Sequence, residues 1–209
     1  MELNFDNLKK IPNHPAVRML AMANTKIETP LESPVSASVS AVLEELAREE
    51  ALFDMLKLLS VALPPREAVW WACLAARDLI GHETEKVPPS LEAAEKWVFK
   101  PSDELRDAAT VAMETADIDD ETVYCAMAVT YSDGRMGTGE LSKVEAPPNA
   151  VSAAVICMNM KSLSETIDTM EDHMEMLIGR ALDIARGGNG QVDKPKAPHP
   201  EAVTEKGDA

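Results

Sequence analysis

Residues 163–186 read LSETIDTMEDHMEMLIGRALDIAR, and their apolar members decide the fold class. Leu163, Ile167, Met170, Met174, Leu177, Ala181 and Ile184 step by 4, 3, 4, 3, 4 and 3. That spacing keeps one stripe of a helix turned toward a partner helix. Ser162 with Glu165 three residues later has the form of a capping box, and Gly187-Gly188 the form of a left-handed stop. Ile178, Leu182 and Ala185 add a second apolar edge, wider than a dimer seam needs, which favours packing on the chain's own body. A homo-oligomer built on this helix is the alternative.

The same period recurs upstream. Leu105, Ala108, Ala109, Ala112, Met113 and Ala116 form one stripe, Val123, Ala126, Met127 and Tyr131 a second, and Val151, Ala154, Val155 and Met158 a third. Three proline pairs, Pro64-Pro65, Pro88-Pro89 and Pro147-Pro148, each precede an apolar run. Proline suits the first helical turn, whose N–H groups have no helical partner, and it stops the helix before it. Together these signals predict helices near 35–62, 65–80, 90–98, 102–116, 120–131, 149–160 and 163–186. The clean alternation VSASVSA (35–41) is mostly Ser and Ala and runs into a helical pattern, so it is a poor strand. The fold class is all-α: a compact bundle of about seven helices, with a short solenoid of helix pairs as the alternative arrangement.

The folded domain spans 35–186. Residues 1–34 are punctuated by Pro12, Pro15, Pro30 and Pro34 and leave room for one short helix near Ala16–Ala23, either docked or free. Residues 187–209, GGNGQVDKPKAPHPEAVTEKGDA, offer no apolar side chain larger than valine, and a disordered tail is expected.

The chain has 209 residues, of which 20 are Lys or Arg and 36 Asp or Glu, a formal net charge of −16 that resides almost wholly on 35–186. Such a field repels phosphate backbones and anionic lipid, so neither nucleic acid nor membrane is expected as partner. The first residues lack the apolar core of a secretory signal, and no apolar run reaches the length of a spanning helix, which predicts a cytoplasmic protein. Cys73, Cys125 and Cys157 form no CxxC pair and sit among small apolar residues, as buried free thiols do.

Candidate chemistry fails by spacing. Met170, His173, Met174 and Met176 place soft donors near one another, but two belong to the heptad stripe. DIDDE (117–121) begins like a calcium loop, yet Thr122 stands where glycine is needed and Ala128 where glutamate is. Asp117 or Asp119 is then a cap for a helix starting near Asp120. SDGRMGTGE (132–140) lacks the phosphate-loop lysine and reads as an inter-helix loop. No catalytic residue, metal ligand or cofactor is assigned. An enzyme alternative would need a site assembled from distant residues such as Arg77, His82, Glu114 and Asp117.

PPREAVWWACLAAR (64–77) holds the least ordinary feature, adjacent tryptophans. On a helix Trp70 and Trp71 point about 100° apart, so one can anchor the core while the other meets a different neighbour or solvent. An exposed aromatic is a common interaction anchor. This segment resembles that of an uncharacterised family of small acidic bacterial proteins carrying a WWA-type helix signature and encoded near type VI secretion effector genes. The resemblance implies an accessory role in handling a secreted partner and carries no catalytic residue onto this chain. The sequence thus points to a non-enzymatic adaptor or chaperone-like protein that binds another protein, with Trp70, Trp71, Met170, Met174 and Leu177 as candidate partner-binding residues.

Overall fold

A computed structural model describes residues 3–81, 86–164 and 170–191, and every regular element in them is helical. In chain order these are α1 (Ala16–Met22), α2 (Val39–Arg48), α3 (Leu52–Ala62), α4 (Pro65–Ile80), α5 (Pro89–Phe99), α6 (Asp103–Glu114) and α7 (Val123–Thr130). A 3₁₀ turn (Gly139–Lys143), α8 (Ala150–Ser164) and α9 (Met170–Arg186) complete the order. Extended pairing among the described residues is confined to a bridge between Arg135 and Glu145, which closes the glycine-containing loop after α7. The fold is all-α, with nine α-helices described where the sequence suggested about seven.

Local chemistry explains most boundaries. Pro65 and Pro89 open α4 and α5, each in the first turn. The Ser38 and Ser102 hydroxyls accept the N–H groups of Ala41 and Leu105 and so cap α2 and α6. The helix expected over 35–62 divides after Arg48. Glu50 takes a left-handed φ of 54°, and the N–H groups of Glu50 and Ala51 fold back on the carbonyls of Ala47 and Leu46. A residue with a Cβ loses roughly 1–2 kcal/mol in that conformation, so the position gives no glycine signal to read in advance. The reversal lets Leu43 and Leu46 of α2 enter the same core as Met55, Leu56 and Leu59 of α3.

At the centre lies α4, buried from Ala68 to Ala76 on every side except that of Trp70. Its small residues allow the close approach of α5, α7, α8 and α9, all of which it contacts. The helix expected over 163–186 is two elements. Leu163 belongs to α8, the Ser162 hydroxyl donates to Asn159 O within that helix rather than capping a new one, and α9 is described from Met170. Glu165 and Ile167, the other expected members of the first turns, lie outside the described residues.

In α9 both apolar edges, Leu177, Ala181 and Ile184 with Ile178, Leu182 and Ala185, are buried within the chain itself. The helix rests on α3, α4 and α8. Each large aliphatic side chain so removed from water contributes about 1.5–3 kcal/mol. A buried ion pair between Arg180 and Asp78 adds orientation, since its two side chains are only 6% and 5% exposed. At the end of α9, Gly187 takes a φ of 103° and Gly188 N–H bonds Asp183 O at 2.9 Å, the stop that the glycine pair promised.

The N-terminal segment docks. Ala16 and Leu20 are buried, Lys10 N–H bonds Ala185 O at 2.8 Å, and Arg186 reaches Asn4 O. Two carboxylates on the body seize the chain just before α2. Asp54 Oδ2 accepts the Glu28 N–H, the Thr29 N–H and the Thr29 hydroxyl, each at 2.8 Å. Glu45 accepts the N–H groups of Glu32 and Ser33. Burial opposes ionisation of Asp54, but these donors and Lys57 outweigh it and hold the carboxyl below its ordinary range. Hydrogen bonds from Ser33 and then Glu32 do the same for Glu45.

Residues 187–191, expected to belong to a disordered tail, pack on the body instead. Gly190 N–H bonds Asp183 Oδ2 at 2.9 Å, and Gly190 presses so closely on the body that an added Cβ would meet Leu74 Cδ1 at 2.6 Å. The rest of that tail, 192–209, lies outside the described residues. Two smaller readings also change. Cys73 and Cys125 are buried, but Cys157 is exposed on α8. The N-cap of α7 is Thr122, without a side-chain cap bond, and the helix starts at Val123; Asp120 Oδ1 accepts the Thr122 N–H and hydroxyl in the turn before it. Among the described residues, no helix is long and apolar enough to cross a membrane.

Candidate partner-binding site

The two tryptophans of α4 part company as their spacing requires. Trp71 is fully buried and donates its indole N–H to Leu177 O at 3.0 Å. Trp70, one position back and about 100° around the helix, is half-buried and donates to Asn189 O at 2.8 Å. Its ring meets Phe99 at a centroid distance of 5.8 Å and an interplanar angle of 59°, a tilted arrangement that aromatic quadrupoles favour. Phe99 closes α5 and is 73% exposed.

Around this pair lies a groove of about 270 Å³, walled by Val98 and Ile184 and by Gly187–Asn189. Arg66 Nε donates to Val98 O at 2.7 Å and so ties the start of α4 to the end of α5 beneath the rings. Lys10, from the docked N-terminal segment, pairs with Glu67 at 3.2 Å on the rim. The groove therefore offers a rigid apolar floor whose polar atoms are largely satisfied, with Arg66 and Lys10 at its edge. Such a surface can hold an apolar side chain of another molecule.

The five residues chosen from sequence separate into three groups. Trp70 lies in this groove. Met170, 53% exposed, and the half-buried Met174 line a different groove with Leu52 and Phe53. Trp71 and Leu177 are both 0% exposed and hydrogen-bonded to each other, so they belong to the interior and are corrected out of the binding set. Phe99 was missed.

The residues named for an assembled catalytic site are not gathered in one cavity among the described residues. Arg77 is engaged by Glu95 through two hydrogen bonds of 2.7 and 2.6 Å. Asp117 lines a groove of about 600 Å³ over Leu79 and Ile80, together with Asp119, Asp120 and Glu121; neither Arg77 nor Glu114 lines it. His82 lies outside the described residues. Burial, with the neighbouring Cys125 thiol, pushes the Cys73 thiol up, away from the thiolate a nucleophile needs.

The sequence profile of a family of unknown function (DUF6931) matches residues 42–185, from α2 through α9. The chain belongs to this family. The DUF6931 region contains Trp70, Phe99, Met170 and Met174, while Lys10 comes from the segment before it. No curated protein and no solved structure matches the chain.

Proposed function

We propose that this protein is a non-enzymatic, chaperone-like adaptor of the cytoplasm that holds another protein, with a secreted bacterial effector as its client. The observation that carries the reading is the Trp70–Phe99 pair, an aromatic surface kept open to solvent in a chain whose aromatic content is only 4%. Aromatic side chains set in a groove are the residue type on which binding energy concentrates. Trp70 is already fixed by its bond to Asn189, so little side-chain freedom remains to be lost on binding. The client's class rests on the resemblance of the 64–77 segment.

Purification of the tagged full chain from its native host, beside a Trp70→Ala variant, tests this. The reading expects a protein partner with the first and its loss with the second at unchanged circular dichroism. Recovery of the chain alone at every concentration, or equal recovery of the partner by both forms, contradicts it.

A further inference from the structure

The groove that holds Met170 and Met174 has its own chemistry. It measures about 450 Å³ and is floored by Leu52, Phe53, Met170 and Met174. Phe53 is 41% exposed and Met170 53%, so the floor faces solvent rather than the core. Methionine is flexible and polarizable, and it adapts to apolar partners of differing shape.

The charge at its margin is predominantly negative. Glu28, Glu50, Asp54 and Glu171 line the groove, and among the described residues the base beside it is Lys57. Lys57, the nearest base, is consumed. Its ammonium pairs with Asp54 at 3.0 Å, reaches Glu28 only at 4.0 Å, lies 4.7 Å over the Phe53 ring, and is only 16% exposed. Glu28 is 88% exposed, and among the described residues no cation pairs with Glu50 or Glu171. Carboxylates around an exposed apolar floor complement one class of ligand, a chain that carries cations beside apolar side chains.

We infer that the Met170–Phe53 groove is a second docking site, and that its occupant is a basic amphipathic segment of a partner protein. Apolar side chains of that segment enter between Phe53 and the methionines, and its Lys or Arg residues meet Glu28, Glu50 and Glu171. The site is independent of Trp70 and stands or falls without it.

A labelled amphipathic helical peptide of leucine and lysine is the probe, titrated into the full chain and followed by fluorescence anisotropy. A second peptide keeps every lysine but replaces leucine with alanine. The inference expects saturable binding of the first that is at least tenfold tighter than that of the second and weakens as salt is raised. Met170→Ser and Glu171→Lys each weaken it by about tenfold, and Trp70→Ala leaves it unchanged. Both substituted side chains are exposed, and an unchanged melting temperature verifies the fold. Equal binding of the two peptides would mean that the acidic field alone attracts them and would overturn the inference. So would absence of binding, indifference to both Met170→Ser and Glu171→Lys, or loss of binding in Trp70→Ala.

Discussion

The indole N–H of Trp71 meets the main-chain oxygen of Leu177 at 3.0 Å, with both residues sealed from solvent, and this contact locks α4 to α9. It also decides what the neighbouring tryptophan is for. With one ring committed to the interior, the other is turned about 100° away, onto Phe99 and the turn after α9.

Truncation should distinguish the two rings. Trp71→Ala removes the largest fully buried side chain and is expected to cost about 3–5 kcal/mol, measured by chemical denaturation. Trp70→Ala, at a half-open position, should cost far less. Equal losses for the two variants would contradict the division of roles.

Acid should loosen the N-terminal segment before the bundle. Asp54 and Glu45 have carboxyls held below their ordinary range by the chain they bind. A depressed folded-state value gives stability that is fully present above the ordinary carboxyl value near about pH 4. That stability is lost as pH falls through the lower folded-state value. Asp54→Ala, which removes a charged acceptor of three hydrogen bonds from residues 28 and 29, should cost about 2 kcal/mol at neutral pH. The loss should shrink as the solution is acidified. Denaturation at a series of pH values checks both the size and the sign, and amide exchange at residues 28–33 shows whether this segment leads.

Gly190 couples the turn after α9 to Trp70. It has a φ of 73°, and a Cβ there would strike Leu74 and Ile184. Gly190→Ala should therefore displace Asn189 from the indole N–H and expose Trp70, read as a red shift in tryptophan emission that Trp70→Phe abolishes. An unshifted spectrum would mean that the turn does not position the ring.

The helical class was legible because period, proline pairs and terminal glycines all agree, as in α4, α5 and the end of α9. The failures have particular causes. Glu50 turns the chain without glycine, so nothing in AREEAL marks the break. The apolar steps from Leu163 to Met170 gave no sign that α8 is described to Ser164 and α9 from Met170, because an apolar period read from sequence does not distinguish the buried Leu163 from the exposed Met170. At the candidate site, the pattern singled out the tryptophan pair but not which ring stays outside. Phe99 was invisible as a partner because it joins Trp70 through tertiary packing of α4 on α5. Leu177 and Trp71 looked like contact residues for the same reason that makes them core: large apolar groups at regular spacing serve either purpose.

The most direct measurement places a photo-crosslinking benzoylphenylalanine at position 99 and, as a control, at Val111, an exposed apolar position on α6. Both forms are irradiated in the native host. The account predicts a covalent adduct with one other protein from position 99 and none from position 111. No adduct at 99, the same adducts from both positions, or adducts only with a second copy of this chain would contradict the adaptor reading.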